Sequence, residues 1–101
     1  MDFNNFTTKA QEAIQKAQQF AQELGHQQIE NEHLFKAITL VDENVTPLLL
    51  KKLNINVNLF TQILDKTIES FPKVTGGELM LSREASKTLN EASTIAKKND
   101  R

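Results

Sequence analysis

The residues best suited to metal chemistry lie in one short segment, which holds both histidines of the chain. His26 and His33 are seven residues apart and flank Glu30 and Glu32. A helical zinc pair needs histidines four residues apart, as in H-E-x-x-H, so that both rings reach one ion. Here the spacing crosses a helix start, with His26 expected in a loop and His33 near a helix N-terminus. The sequence therefore predicts no metal site, and the absence of cysteine excludes thiolate ligands and disulfides.

The other candidates for chemistry are two glycines and two hydroxyl residues. A P-loop requires G-x-x-x-x-G-K-[ST] between a strand and a helix, whereas Gly76-Gly77 is followed by Glu78 and no strand is expected before it. Thr7 and Ser82 each precede a helical stretch, so they are interpreted as helix caps rather than nucleophiles. No Ser-His-Asp grouping is indicated. The chain is predicted not to be an enzyme, and the remaining candidate function is a helical surface that binds other polypeptides.

Composition limits the class of partner. The net charge is −1 and the chain has no Trp or Tyr, whereas a nucleic-acid module would show a basic face and aromatic stacking platforms. No apolar run approaches the roughly 18 residues of a membrane span. The first residues, Met1-Asp2-Phe3-Asn4-Asn5, do not resemble a secretory signal. We therefore expect one cytoplasmic domain spanning 1–101, with neither a nucleic-acid nor a membrane partner.

The chain starts the same helical pattern twice. Phe6-Thr7 and Leu81-Ser82 each place a hydrophobe and a hydroxyl residue before an alanine-rich stripe, at a constant offset of 75 residues (81 − 6). Two amphipathic helices can align on their apolar stripes by chance, but the shared cap chemistry favours duplication. The coinciding alanines are Ala10 with Ala85, Ala17 with Ala92, and Ala21 with Ala96. Only the first copy continues into Gly25-His26 and Glu32-His33-Leu34, so we expect the chain to stop inside the second repeat of a larger module.

Apolar periodicity predicts an all-α chain of five helices and no strand. The first helix should run from a cap at Thr7 or Thr8 to about Leu24, with Phe6 stapled onto its first turn and a left-handed Gly25 at its end. The others are predicted at Asn31 to Val41, Leu48 to Leu53 (with Thr46 as cap and Pro47 at the first position), Val57 to about Ser70, and Arg83 to Lys98. Asp42-Glu43-Asn44 and Asn54-Ile55-Asn56 should separate helices, and Lys73 to Leu79 is expected to be a loop.

Several motifs occur together in one order along the whole chain. They are Phe6-Thr7, the stripe Ala10, Ala13, Ile14, Ala17 and Ala21, the signature Leu24-Gly25-His26-Gln27-Gln28-Ile29 with Glu32-His33-Leu34, Leu48-Leu49, the turn Leu53-Asn54-Ile55-Asn56-Val57, Phe71-Pro72-Lys73-Val74, Gly76-Gly77 and Leu81-Ser82. In these motifs the chain resembles the N-terminal domain of the Clp ATPases. The Pro-Lys-Val-x-Gly-Gly linker is more similar to the ClpB-type disaggregases than to the protease-partner ClpA and ClpC types.

This resemblance implies a fold and a function. The family domain has two four-helix repeats about a pseudo-twofold axis, so the chain would hold repeat one at about 1–75 and the first helix of a truncated second repeat at about 76–101. The family domain sits flexibly on a hexameric ATPase ring of a stress-response chaperone and binds unfolded or aggregated polypeptide, or adaptor proteins. No cofactor is implied for this segment, since ATP belongs to the downstream domains. A free-standing helical adaptor that docks one protein partner is the alternative, and the length of the reading frame beyond Arg101 distinguishes the two.

The candidate peptide-binding residues lie near the junction of helix one, the linker and helix five. They are Thr7, Ile14, Leu79, Leu81 and Leu89. Ile14 and Leu89 fit an ordinary core position equally well, because both belong to apolar stripes. A few buried side chains at about 25 cal/mol per Å² give a gain that ordering costs largely cancel. Binding is therefore expected to be weak and tolerant of sequence.

Helix five also carries an apolar stripe that the missing helices of an intact domain would cover. Its members are Ala85, Leu89, Ala92, Ile95 and Ala96. Either helix five folds back onto helix one and leaves a patch of about a few hundred Å² exposed, or that patch packs on a second molecule. The Lys73 to Met80 segment holds two glycines, so we expect it to let helix five swing out. Self-association through helix five is predicted.

Overall fold

A computed structural model describes residues 7–42, 45–74 and 77–98, and this part of the chain is almost entirely helical. The elements in chain order are α1 (Thr8–Glu23), β1 (Gln28–Ile29), α2 (Asn31–Val41), α3 (Val45–Lys52), α4 (Val57–Glu69), β2 (Met80–Leu81) and α5 (Arg83–Lys98). The predicted all-α class with five helices is confirmed. The predicted roles of Phe6, Glu43, Asn44 and Gly76 fall on residues outside these ranges.

The two copies of the repeat begin in the same way. Thr7 Oγ1 accepts a hydrogen bond from the backbone N–H of Ala10 at 3.1 Å, and Ser82 Oγ accepts one from the N–H of Ala85 at 3.0 Å. α1 and α5 are both 16 residues long. Each hydroxyl satisfies one of the free N–H groups of the first helical turn. The helices therefore match at the 75-residue offset (83 − 8) in cap, start and length.

The core is built by α1 and α2, with α5 packed mainly against α2 and β2. Four alanines in it are completely buried: Ala17, Ala21, Ala37 and Ala85. Side chains this small let the helix backbones approach closely. Larger members complete the core: Ile14, Ile29, Leu34 and Leu89, with Phe20, Val41, Leu79 and Leu81 partly buried at its margin. Ala85 and Leu89 of α5 join the same buried cluster as Ala13 and Ile14 of α1, although α5 packs mainly on α2 and β2, so helix five folds back within the chain.

One helix start differs from its prediction. α3 begins at Val45, and the backbone N–H and hydroxyl of Thr46 donate to Asp42 Oδ2 at 3.0 and 2.9 Å. Thr46 therefore lies inside the helix and does not cap it, since a carboxylate four residues earlier accepts from the first turn. At the other end Leu53 N still donates to Leu49 O, and Asn54 takes the left-handed conformation (φ 61°) that the predicted turn requires.

The linker before α5 is tied down by contacts that the sequence did not predict. β1 and β2 form a parallel pair with Gln28 opposite Met80 and Ile29 opposite Leu81. Upstream, Val74 N donates to Gly25 O at 2.8 Å. Both described ends of the linker are therefore held against the segment that follows α1. The described residues between Lys73 and Leu79 lie in no helix or strand, as predicted. The expectation of no strand is wrong, because two-residue strands are too short to show an alternating pattern.

Candidate polypeptide-binding site

A groove of about 640 Å³ lies between the end of α1 and the linker. We call it the linker groove. It is lined by Gln18, Gln22, Gly25, His26, Gln27, Val74, Gly77, Glu78 and Leu79. One wall is the outer side of the last turns of α1, and the other is the linker that leads into β2. The groove therefore lies between the end of the helix that opens the first copy and the segment that leads into the second copy.

The shape of the groove depends on how the chain leaves α1. Gly25 has φ +71°, a conformation that side-chain-bearing residues rarely adopt. This turn lets His26 N donate back to Ala21 O at 2.9 Å and presents Gly25 O to Val74 N. A methyl group at Gly25 would meet only Val74 O, at 3.8 Å, so backbone conformation rather than space selects glycine. The glycine thus sets the distance between the two walls.

The lining combines amide groups with a small apolar surface. Gln18 and Gln22 are exposed and one turn apart on α1, and Gln27 is exposed in the following loop. A glutamine amide both donates and accepts hydrogen bonds, so these residues can pair with either side of a peptide group. Val74 is 43% exposed and Leu79 is half-buried, which leaves apolar contact at the linker wall. Such a lining suits an extended main chain with few demands on its side chains.

Two buried histidines form the base of this region. His26 Nδ1 and His33 Nε2 are 2.9 Å apart, and the N–H of Glu30 donates to His33 Nδ1 at 2.9 Å. Both rings pack on Phe71, with centroids 5.6 Å from His26 and 5.4 Å from His33. His33 is fully buried and closes the start of α2. The pair therefore ties the loop after α1, the start of α2 and the end of α4 into one unit.

The hydrogen bonds fix the tautomer of both rings. The Glu30 N–H must find a lone pair on His33 Nδ1, so neutral His33 carries its proton on Nε2 and donates it to His26 Nδ1. His26 then carries its proton on Nε2, which is buried and has no partner among the described residues. A metal ion at His26 Nε2 would need the lone pair there and would reverse this chain of donors. The two histidines therefore form a chain of hydrogen bonds with a structural role.

Burial also sets the charge state of the pair. Desolvation and, to a smaller extent, the charge on the neighbouring His26 together lower the pKa of His33 to about 4. Desolvation, followed by repulsion from Lys73, lowers the pKa of His26 below its usual range. Both rings are therefore neutral near pH 7. Protonation of either ring would put two N–H groups face to face.

The structure separates the predicted peptide-binding residues into three settings. Thr7 is exposed at the N-terminus of α1, where its hydroxyl caps the helix. Ile14 and Leu89 are buried in the core, at 7% and 8% exposure. Leu81 lies in β2 at the margin of the core, and Leu79 lines the linker groove. Leu79 is thus the predicted residue that the groove includes, while the assignment of all five to peptide binding stays a prediction.

Sequence reasoning missed the three glutamines and the paired histidines. His26 and His33 were weighed as metal ligands and set aside for their spacing, but that spacing is what lets the loop fold one ring onto the other. Among the described residues no group of three potential ligand side chains could hold a metal ion. The signal that could have indicated the histidine pair is Gly25-His26 at the end of a helix, followed by Glu30 and His33, which are three residues apart as in a capping box.

The described helices contain none that is long and apolar enough to cross a bilayer. A family model described as the Clp repeat (R) N-terminal domain matches residues 5–101. Over 97 residues the chain is 45% identical to the chaperone protein ClpB of Bacteroides thetaiotaomicron, covering 96% of this chain and 11% of that protein. It is 40% identical to ClpB of Porphyromonas gingivalis, covering 95% of this chain and 11% of that protein.

A solved structure has the same fold. The Hsp104 N-terminal domain from Candida albicans superposes with a TM-score of 0.82 at 21% identity, covering 92% of this chain and 62% of that one. At this identity the likeness concerns the fold alone. The chain thus spans about a ninth of the length of the ClpB relatives it matches.

Proposed function

The chain belongs to the family of Clp repeat (R) N-terminal domains, and we propose that it binds unfolded polypeptide for a ClpB-type chaperone that disaggregates or unfolds proteins. Its similarity to ClpB sequences over nearly its whole length supports this chaperone type. The ATPase activity, with ATP as cofactor, would belong to other parts of such a protein, and so would assembly into a hexamer. The resemblance also favours a cytoplasmic location and binding of adaptor proteins. A free-standing adaptor is less well supported.

The linker groove is the observation that supports this function best. An extended polypeptide lying along it would meet three glutamine amides on one side and Val74 and Leu79 on the other. Main-chain pairing with little side-chain selection suits a domain that must accept many clients. Because the contact area is small, we expect a Kd on the order of tens of micromolar or weaker. Thr7, Ile14, Leu81 and Leu89 would then contribute by shaping the domain next to the groove.

An NMR titration tests this proposal. The ¹⁵N-labelled chain is titrated with a reduced, alkylated protein that cannot fold, and shifts are expected at Gln22, Gln27 and Leu79. Leu79→Ser should weaken binding at least threefold, whereas Leu40→Ser, at an exposed leucine on α2, should leave it unchanged. Shifts confined to α3 and α4, or equal effects of the two variants, would refute the groove as the site.

Self-association through α5 stays a proposal, and it has less structural support than the linker groove. Ala85 and Leu89 are buried within the chain itself, and Ala92 is the exposed member of the stripe among the described side chains. Ile95 and Ala96 lie outside the described side chains. Sedimentation at increasing concentration should show reversible dimers that Ala92→Glu removes. A strict monomer, together with the burial of Leu89, would rule the proposal out.

A further inference from the structure

The α3–α4 hairpin carries the most exposed apolar surface of the described chain. Five of its leucine and isoleucine side chains are between 53% and 68% exposed. We call the surface that they form, together with the 36% exposed Ile55 of the turn, the hairpin face. Its members are Leu48, Leu49, Leu53, Ile55, Leu59 and Ile63. Monomeric proteins rarely leave so many large hydrophobes together in water unless another molecule covers them.

The hairpin face forms two rows with one turn between successive members. Leu49 and Leu53 are joined by a helical hydrogen bond at 3.0 Å, which places their side chains one above the other at the end of α3. Leu59 and Ile63 have the same spacing on α4, and α3 and α4 pack against each other. Exposed leucines and isoleucines at helical spacing on two neighbouring helices are the kind of surface on which an amphipathic helix packs.

Contacts with α2 support this surface. Lys36 Nζ donates to Asp65 Oδ1 at 2.7 Å, and the rings of Phe35 and Phe60 pack with centroids 5.1 Å apart. Leu50 and Ile68 anchor the inner sides of α3 and α4 by their burial. A partner would therefore meet a preformed surface and would not have to order it, which lowers the cost of binding.

The charge of the hairpin indicates the chemistry of the partner. Between residues 45 and 64, where the hairpin face lies, the only charged side chains are Lys51 and Lys52. Asp65, Lys66 and Glu69 follow at the end of α4, and Asp65 is paired with Lys36. The two lysines are exposed beside Leu53 at the end of α3. An apolar surface with positive charge at one end is complementary to a helix that carries leucine-like residues on one side and carboxylates near them.

From this geometry we infer that the hairpin face docks an acidic amphipathic helix of another protein. The site is separate from the linker groove and does not rest on the proposed binding of unfolded polypeptide. An anionic membrane is the less favoured partner, because two lysines supply only about 2 kcal/mol of attraction and stable anchoring needs more. The chain as a whole has a net charge of −1, so the rest of it, without these two lysines, carries −3 (−1 − 2) and would also oppose binding to an anionic membrane.

The test uses two designed peptides of about 18 residues with leucines at helical spacing. One carries glutamate at the remaining positions and the other carries lysine. The glutamate peptide should shift NMR signals of α3 and α4 and bind at least fivefold more tightly than the lysine peptide. Binding of both peptides with equal affinity would overturn the charge argument, and shifts confined to the linker groove would overturn the site.

A matched pair of charge reversals sharpens the result. Lys51→Glu with Lys52→Glu should weaken the glutamate peptide about five- to tenfold, as expected for two exposed ion pairs. Lys9→Glu with Lys16→Glu changes the net charge equally at exposed positions of α1 and should change the affinity less than twofold. Equal effects would show that net charge alone acts, which contradicts docking here. Co-sedimentation with phosphatidylserine vesicles in the absence of peptide binding would favour the membrane and refute the proposal.

Discussion

The part of the molecule formed by α1, α2, the strand pair and the start of α5 differs sharply from the α3–α4 hairpin. In the first part, alanines are completely buried, two helices start from hydroxyl caps, and a buried histidine pair joins distant segments. In the hairpin, Leu50 and Ile68 are buried, while five other large aliphatic side chains are more than half exposed. The first part gathers most of its large apolar side chains at a shared core, with Leu40 and Met80 more than half exposed, whereas the hairpin leaves five more than half exposed.

The largest expected contrast is between two isoleucines. Ile14→Ala should lower the free energy of unfolding by about 2–4 kcal/mol, because it leaves a cavity in the core. Ile63→Ala removes the same atoms from a side chain that is 56% exposed and should cost less than about 0.5 kcal/mol. Urea unfolding followed by circular dichroism measures both. Similar losses for the two variants would mean that the hairpin face is packed in solution.

Acid should destabilise the first part by protonating the His26–His33 pair. The folded-state pKa of His33 is about 4 against an ordinary 6.5, so the unfolded chain binds more protons in this window. Stability is therefore expected to fall as the pH drops from 6.5 towards 4, by about 3 kcal/mol in total. Urea midpoints at several pH values would show this. His33→Gln should be less stable at pH 7 and should lose most of this slope, and an unchanged slope in the variant would assign it to other groups.

The two kinds of helix cap should also differ. Ser82→Ala removes a buried hydroxyl and leaves the Ala85 N–H without its partner, so we expect a loss of about 1–2 kcal/mol. Asn56→Ala removes the cap that accepts from Leu59 N at an exposed site, where water can replace it. That change should cost about 0.5–1 kcal/mol. A larger loss for Asn56→Ala would reverse the ranking of the two regions.

The smallest effect is expected at the link between the regions. Lys36 and Asp65 form a 2.7 Å ion pair that joins α2 to α4, with side chains 33% and 39% exposed. A double-mutant cycle with Lys36→Met and Asp65→Asn should give a coupling energy of about 0.5 kcal/mol, because solvent screens the pair. A coupling well above about 1 kcal/mol would indicate a stiffer connection than this exposure implies.

Much of the fold was predictable because its signals are local. The limits of α2 and α5, the Thr7 and Ser82 caps and the left-handed Gly25 follow from residue spacing and from backbone preferences within a few positions. The candidate site was predictable only in part. Leu79, which the sequence offered as a peptide-binding residue, lines the linker groove, whereas Gln18, Gln22 and Gln27 carry no motif that marks them as lining residues. The Asp42 contact that replaces the expected Thr46 cap depends on where the preceding helix ends.

The sequence by itself determined the presence of five helices, the Thr7 and Ser82 caps and the duplicated start, since a helix forms from contacts between residues three or four apart. Only the tertiary structure decided that β1 pairs with β2, that α5 lies on α2, and that His26 meets His33 in a neutral pair. These contacts join segments whose spacing along the chain says nothing about their distance in space. Which leucines are buried and which form the hairpin face was decided in the same way, because exposure depends on the neighbours that folding supplies.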